Sequence, residues 1–435
     1  MKKIAVIILA LVLLVPVIAS IQLTQPAAGE VVQSEKERIT SPDVPTSEQA
    51  LLVEGNSAFA FELYQALKGQ EGNLFYSPYS ISLALAMTYA GARGETAQQM
   101  ADTLQFLLGQ DRLHRAFNWL DAELAKRGEG AQGKDGEGFR LNIVNAIWGQ
   151  KDYEFLTEFL DVLAENYGAG LRILDFITEA EKCRVAINDW VSNQTEGRIE
   201  DLIPEGAIDE WTRLVLTNAI YFNATWKYPF DKGMTSNGPF YLLDGGQVTV
   251  PMMRQAESLG YTKGQGYEAV ELRYDGDELS MVILLPASGN FEAFEKELGD
   301  QQVDAIISEL QSTRVTLTMP RFKFESQFGL KGTLSDMGMP IAFSPGEADL
   351  SGMDGNHDLL ISGRLFISDV VHKAFVSVDE AGTEAAAATA VIVGITSVPT
   401  EPPVEVTMDR PFIFLIRDIE TDAILFVGRV LNPGA

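Results

Sequence analysis

The sequence predicts an α+β fold in one large domain, with helices in the first half of the chain and strands in the second. Its 435 residues are 46% hydrophobic and 22% charged, an ordinary balance for a globular protein. Between residues 47 and 193, apolar residues recur with the spacing of helices that pack on one side. Between 212 and 430, short β-branched or apolar runs are bounded by turn residues, as strands are. Because helices and strands do not alternate strictly, we expect mixed sheets.

The helical part begins with an amphipathic segment at 47–67. An almost entirely apolar segment follows at 81–90, and it must be buried on most sides. Further helices are predicted at 97–108, 111–126, 156–167 and 180–193. Strands are predicted at 212–222, 269–273, 280–285, 314–319, 374–379, 413–417 and 424–430.

The N-terminus has the pattern of an export signal. Lys2 and Lys3 precede an apolar run at 4–19 whose last residues suit a signal peptidase. The run is shorter than the ~20 residues that span a bilayer comfortably. Residues 1–19 are therefore predicted to be a signal peptide of a secreted or extracytoplasmic protein, with an uncleaved membrane anchor as the alternative. Residues 20–46 lack an apolar period and are predicted to be a flexible linker to a domain at 47–435.

The charge and the cysteine content narrow the range of partners. With 61 acidic and 33 basic residues, the chain has a formal net charge of -28, which disfavours nucleic acid, anionic membranes and polyanionic cofactors as partners. Cys183 is the only cysteine, so no disulfide can form within the chain. This cysteine is either a small buried apolar residue or one that pairs with another molecule. We expect a monomer.

The sequence contains no recognisable constellation for catalysis, so we expect neither an enzyme nor a protein that needs a metal or a cofactor. The glycine-rich stretch at 128–134 has the spacing of a phosphate-binding loop, but Asp135 stands where a Ser or Thr would reach Mg²⁺. The histidines are His114, His357 and His372. None of them lies in a motif that pairs it with a nucleophile or with a second metal ligand.

The segment between residues 380 and 409 is the most informative part of the sequence. It begins with small residues at 382–390 and ends with Pro399, Pro402 and Pro403. A flexible linker and an Ala-rich helix are both compatible with this composition. As a strand, the segment would present alternate side chains on two faces. One face carries no charged or proline side chain, so the segment could enter a packed sheet. That face consists of Thr383, Ala385, Ala387, Thr389, Val391, Val393 and Ile395.

A series of motifs along the chain resembles those of the serpin family, over about residues 47–435. The motifs are NLFYSPYSI at 73–81, GARGET at 91–96, NAIW at 145–148, INDWV at 187–191, TEGRI at 195–199, LTNAIYF at 216–222 with Trp226, ADLSG at 348–352, PFIF at 411–414 and LFVGRVLNP at 425–433. No single match is decisive, but this many in one order is very specific.

The resemblance implies three β-sheets, about nine helices and an exposed reactive-centre loop. It also implies a suicide-substrate inhibitor of serine proteases, which traps the acyl-enzyme when its cleaved loop inserts into the main sheet. The reactive bond is placed between Thr396 and Ser397, or one residue to either side. The implied hinge residues at the base of the loop are Glu380, Gly382, Thr383, Glu384, Ala385, Ala386, Ala387 and Ala388.

The same resemblance implies a structural switch that holds the sheet closed until the loop is cut. Within it, we expect an ion pair between Arg321 and Glu380 to close the top of the sheet. The implied switch residues are Ser77, Ser80, Asn218, His372, Arg321 and Trp226.

The composition of the loop narrows the target. No Lys or Arg lies between Lys373 and Arg410, and no aromatic residue lies between Phe375 and Phe412, which disfavours trypsin-like and chymotrypsin-like proteases. We therefore expect an elastase-like or subtilisin-like target, with a cysteine protease as another candidate. The alternative function is that of a non-inhibitory serpin that acts as a binding or chaperone-like protein.

Overall fold

A computed structural model describes residues 29–128, 140–356, 364–383 and 402–435. It confirms the predicted α+β class, with most helices before residue 194 and most strands after residue 214. About nine helices were expected. The α-helices of the described ranges are α1 Thr46–Leu67, α2 Pro78–Tyr89, α3 Gly94–Thr103, α4 Gln110–Leu124, α5 Thr157–Tyr167, α6 Phe176–Gln194, α7 Phe291–Glu297, α8 Asp300–Ser308, α9 Lys331–Met337 and α10 Ser351–Asp354.

The strands form two hydrogen-bonded sheets within these ranges. In chain order they are β1 Glu30–Val32, β2 Leu74–Tyr76, β3 Arg140–Gln150, β4 Leu171–Leu174, β5 Leu214–Thr225, β6 Ser236–Tyr241, β7 Gln247–Gly264, β8 Tyr267–Arg273, β9 Leu279–Pro286, β10 Gln311–Pro320, β11 Phe322–Gly329, β12 Ile367–Val378, β13 Gly382–Thr383, β14 Val404–Thr407, β15 Phe412–Asp418 and β16 Ile424–Val430. The first sheet has the order β1-β4-β3-β5-β13-β12-β11. The second has the order β14-β10-β7-β8-β9-β15-β16-β2, with β6 beside β7.

The long strand β7 joins two parts of the second sheet. Its first residues pair with β6 and its last residues with β8, while β10 pairs along its other edge. At 18 residues, β7 reaches roughly 60 Å when extended, which is long enough for both partners. Three sheets were expected, and the structure joins two of them into one hydrogen-bonded sheet through β7.

The pairing of β5 with β12 determines where a new strand can enter the first sheet. The two strands run parallel and pair from Leu214 to Tyr221 and from Ile367 to Phe375. Beyond Tyr221 they separate, and β13 lies between them as an antiparallel partner of both. The first sheet is therefore already parted at this end, which we call its top.

Helices cover both faces of the first sheet. The predicted apolar helix is α2; all of its residues are buried, and it contacts β3 and β5. On the opposite face, α6 packs against the sheet through a second core cluster that includes Trp148, Ile187 and Val215. Cys183 lies in this cluster, where burial raises the pKa of its thiol to about 11. Cys183 is therefore a buried, protonated thiol, in agreement with the prediction that it is a small buried apolar residue.

The predicted flexible linker at 20–46 is wrong for its described part, residues 29–45. β1 pairs with the open edge of β4, Lys36 Nζ lies 3.1 Å from Asp161 on α5, and Arg38 pairs with Asp121 on α4. An edge strand held by backbone bonds and ion pairs needs no apolar period, so composition could not reveal it. Among the helices of the described ranges, none has the length and apolar character that a bilayer span requires.

Candidate functional site

The base of the predicted loop is already part of the first sheet. Thr383 pairs with Val378 of β12 on one side and with Ala224 of β5 on the other. Gly382 pairs with Thr225. The first loop residues thus form a two-residue strand at the top of the sheet, with the rest of β5 and β12 still paired below them.

Gly382 allows the backbones to approach this closely. A Cβ atom at this position would lie 2.0 Å from the carbonyl oxygen of Ala224, far inside van der Waals contact. Gly382 was predicted as one of the hinge residues at the base of the loop. The structure gives a physical reason for glycine here, since any larger residue would push β13 away from β5.

A buried pair of aromatic residues receives the side chain of Thr383. The Thr383 Oγ1 atom lies 2.8 Å from the Tyr274 hydroxyl, and both residues are buried. The Tyr274 ring stacks on Trp226 at 4.6 Å between centroids, and Trp226 Nε1 donates to the carbonyl of Asp379 at 3.0 Å. Burial raises the pKa of Tyr274 far above its usual value, so it stays neutral. Trp226 was predicted as a switch residue, but Tyr274 was missed because nothing in the sequence connects it to Thr383.

Glu380 and Arg321 are in contact at the top of the first sheet. Arg321 Nε donates to Glu380 Oε1 at 2.7 Å, and Thr235 Oγ1 donates to the same oxygen at 2.5 Å. The Glu380 side chain is only 2% exposed, whereas Arg321 is 41% exposed. Burial opposes ionisation of Glu380, but the hydrogen bonds from Arg321 and Thr235 outweigh it, so the pKa of this carboxyl lies below its ordinary value.

Replacing Glu380 with lysine is expected to loosen the top of the sheet and to promote self-association. The substitution places a second cation beside Arg321 and removes the acceptor of Thr235. Because Arg321 is partly solvated, we expect a loss of about 1–3 kcal/mol in native-state stability. Denaturant midpoints and size-exclusion chromatography after mild heating would measure both effects.

Two variants serve as controls for this prediction. Glu292→Lys makes the same charge change at an exposed position of α7, and it should leave self-association unchanged. The charge swap Glu380→Lys with Arg321→Glu should restore part of the stability. If Glu380→Lys alone behaves like the Glu292 variant, the contact with Arg321 does not hold the sheet closed.

A polar cluster lies beneath the point where β5 and β12 meet. Asn218 on β5 donates to Ser80 Oγ and Asn145 Oδ1, and its own Oδ1 contacts His372 Nδ1 on β12. The Ser77 amide donates to His372 Nε2 at 3.3 Å. The structure thus brings the four predicted residues together and adds Asn145 on β3, which the sequence prediction missed. Inserting a strand between β5 and β12 would separate His372 from Asn218.

His372 is neutral at ordinary pH. It is fully buried, and burial lowers its pKa from 6.5 to about 3. Its partners assign the tautomer, with the proton on Nδ1 directed at Asn218 and Nε2 accepting from Ser77. The Phe328 ring stacks on the imidazole at 6.2 Å. A proton added to Nε2 would face an amide N–H that already points at it.

Acidification below pH 6.5 is therefore expected to destabilise the native state. Between pH 6.5 and about 3, the unfolded chain binds a proton that folded His372 does not, so stability is lost as pH falls through this window. The loss between pH 7 and 5 should be about 2 kcal/mol. Buried His114, whose pKa burial lowers to about 4, should add a similar amount.

Denaturant unfolding at pH 7 and pH 5 measures this effect. His372→Gln should lose about half as much stability on acidification as the parent protein, since His114 is then the one described histidine that titrates in this way. The matched variant His114→Gln should show the same halving. An unchanged loss in His372→Gln would contradict the assignment.

The remaining predicted loop residues fall outside the described ranges. They are Glu384, Ala385, Ala386, Ala387, Ala388, Thr396 and Ser397. The far end of the loop is described from Pro402 onward, where β14 pairs in parallel with β10 from Val404 to Thr407. Both ends of the loop are thus anchored in β-structure.

Comparisons with known proteins agree with this architecture. A family model described as "Serpin (serine protease inhibitor)" matches residues 54–433. The chain is 41% identical to a leukocyte elastase inhibitor of Xenopus laevis, over 86% of this chain and 97% of that protein. It is 38% identical to an uncharacterized serpin-like protein of Thermococcus kodakarensis, over 90% of this chain and 89% of that protein. The crystal structure of tengpin, a thermophilic serpin in the native state, superposes with a TM-score of 0.80 at 28% identity, covering 92% of this chain and 97% of tengpin.

Proposed function

Because the chain belongs to the serpin family, we propose that it inhibits a serine protease by offering residues 384–401 as bait and inserting the cleaved loop into its first sheet. The observation that carries this proposal is β13. Its two residues already lie between β5 and β12 with antiparallel register to both. The remainder of the loop would continue from a strand that has begun.

The lengths of the neighbouring strands support this role. Continuing the register that pairs Gly382 with Thr225 and Thr383 with Ala224 would bring Val393 opposite Leu214, the first residue of β5. β5 and β12 contain 12 residues each. A cut at Thr396, three residues further on, would therefore free enough chain to fill the gap from the top of the sheet to its other end.

The side-chain pattern supports insertion as well. The side chain of Thr383 points into the core, where it contacts Tyr274, so every second residue after it would also face the core. Glu384 would face the opposite side, away from the core. The residues that would point inward are Ala385, Ala387, Thr389, Val391, Val393 and Ile395, none of which is charged.

The chemical step uses the catalytic serine of the protease. Its hydroxyl oxygen attacks the carbonyl carbon of Thr396, forming an ester, and the bond to the Ser397 nitrogen breaks to release a new amino terminus. Insertion of the upstream segment then pulls the ester-linked protease toward the other end of the sheet before water hydrolyses the ester. Ile395 and Thr396 suit the small or shallow pocket of an elastase-like or subtilisin-like protease.

Mixing the protein with elastase, subtilisin and trypsin tests this proposal. We expect an SDS-stable complex with elastase or subtilisin and none with trypsin, together with a large rise in the melting temperature of the cleaved protein. Cleavage with no rise in melting temperature would contradict insertion and would favour the non-inhibitory alternative. The positions on both sides of the cut follow from mass spectrometry of the released peptide.

Export of the protein is part of the proposal and rests on the N-terminal sequence alone. Lys2, Lys3 and the apolar run at 4–19 support a cleaved signal peptide. N-terminal sequencing of the mature protein from its native host should begin near residue 20. A start at Met1 in a membrane fraction would support the anchor instead.

A further inference from the structure

Trp226 and Tyr274, the stacked pair that receives Thr383, join the two sheets beneath the hinge. Trp226 directly follows β5 of the first sheet, and Tyr274 directly follows β8 of the second. The two residues form an antiparallel bridge, and the Trp226 amide donates to the Ala381 carbonyl at 2.8 Å. The position of the stacked pair therefore depends on how firmly the ends of these two strands are held together.

Asp277 links the residues on either side of the stacked pair. Lys227, directly after Trp226, donates from Nζ to Asp277 Oδ1 at 2.7 Å and also contacts Oδ2. Arg273, directly before Tyr274, has its Nη1 atom 3.7 Å from Asp277 Oδ1. One carboxylate thus connects the chain that leaves β5 with the chain that leaves β8.

The backbone holds this carboxylate in place. Asp277 lies in the connection between β8 and β9 with φ +61°, a left-handed conformation that Asp and Asn adopt more readily than most residues. Its amide donates to the Tyr274 carbonyl at 3.1 Å, and the Asp275 amide donates to the Thr225 carbonyl at 2.8 Å. The connection is therefore tied to the end of β5, where it brings the carboxylate to Lys227.

We infer that Asp277 is a positioning residue for loop insertion, because it keeps the Tyr274 hydroxyl where it meets Thr383. This inference rests on the proposed inhibitory function. Lys227 and Asp277 are 34% and 43% exposed, and an exposed ion pair contributes little to the stability of the whole fold. Its loss would instead let Thr383 leave its site more often, so insertion would slow relative to hydrolysis of the acyl-enzyme.

Replacing Asp277 with asparagine tests this role, because asparagine keeps the size of the side chain and tolerates the left-handed backbone while it removes the charge. With subtilisin or elastase, the ratio of cleaved inhibitor to SDS-stable complex should rise about threefold, while the association rate stays unchanged. Lys227→Gln removes the same ion pair and should give the same rise, and the double variant should give no more than either. Lys227→Arg keeps the cation and should trap like the parent protein.

Asp422→Asn is the matched control. Asp422 lies in the connection between β15 and β16 with φ +62°, is 73% exposed and accepts from Arg417 Nη1 at 2.6 Å. The control therefore makes the same substitution at the same backbone conformation in another exposed ion pair, whose partner is Arg417 rather than Lys227. It should leave the ratio of cleaved inhibitor to complex unchanged.

Hydrogen–deuterium exchange gives a second measurement that needs no protease. The Trp226 amide should exchange faster in Asp277→Asn than in Asp422→Asn, whereas the amides of buried α2 should exchange alike in both variants. Equal exchange of Trp226 in the two variants would overturn the role of Asp277, as would equal ratios of cleaved inhibitor to complex. If the parent protein is cleaved but never trapped, the inhibitory proposal fails, while the exchange of Trp226 still decides whether Asp277 holds the stacked pair.

Discussion

Replacing Thr383 with arginine is expected to turn the protein from an inhibitor into a substrate of its target protease. Thr383 is fully buried against Tyr274, and its side chain must stay there for the following residues to insert in register. An arginine would bring an unpaired charge into this site at a cost of several kcal/mol. Because each ~1.4 kcal/mol changes a rate tenfold, insertion should slow by about 100-fold or more. Hydrolysis of the acyl-enzyme would then be faster than the loop insertion that traps it.

The stoichiometry of inhibition measures this competition directly. The number of Thr383→Arg molecules consumed per protease molecule should rise steeply, and denaturing gels should show cleaved protein in place of complex. Thr383→Ser keeps the hydroxyl that meets Tyr274 and should trap like the parent protein. Efficient trapping by the arginine variant would mean that the loop does not enter the sheet through β13.

Replacing Thr396 with arginine is expected to redirect the inhibitor to trypsin-like proteases. The loop has no basic residue between Lys373 and Arg410. The parent protein should therefore have no basic side chain to place in the cation-binding pocket of a trypsin-like protease. A site that recognises a buried polar group rejects residues lacking it by about 10⁴-fold. The association rate with trypsin should rise by a factor of that order, while the rate with elastase falls.

The neighbouring positions locate the reactive bond. Ile395→Arg and Ser397→Arg introduce the same charge one residue to either side. Only the variant with arginine immediately before the cut should form an SDS-stable complex with trypsin at a high rate. If Ile395→Arg or Ser397→Arg is the faster one, the register shifts by one residue. Three inactive variants would rule out this part of the loop as the bait.

Much of the fold could be predicted from local patterns. The amphipathic period at 47–67 corresponds to α1, and the apolar run at 81–90 lies within α2 except for its last residue. Buried strands such as β9 and β16 are mostly apolar, because both of their faces are covered. Where a helix or strand buries one regularly spaced set of apolar side chains, its sequence alone is sufficient to predict it.

Other strands were not predicted from the sequence, because their side chains face several different environments. β7 changes partners along its length, and it contains Pro251 and many polar residues that face solvent. β1 is held by its backbone and by ion pairs of the residues that follow it. β11 differs, since its alternation of Phe with polar residues is a strand signal that could have been recognised.

The candidate site depended on resemblance more than on pattern. Arg321 and Glu380 are far apart in sequence, as are Asn218 and His372, and only a known family suggested that they meet. The structure adds three residues to the site: Tyr274, which receives Thr383, Asn145, which completes the polar cluster, and Thr235, which donates to Glu380. Long-range contacts of this kind cannot be recognised in a single sequence, because neither residue of the pair changes the local spacing of apolar residues.

The register of β1 places Glu30 at the end of the first sheet that lies opposite the hinge. Glu30 lies opposite Ile173, which is level with Gly149 and so with Leu214 at the beginning of β5. The hinge is at the other end of β5, ~36 Å away. A bead attached directly at Gly29 would therefore leave the bait facing incoming proteases. Insertion would then carry the protease toward the attached surface, so immobilisation should hinder the final trapped state while leaving the first encounter free.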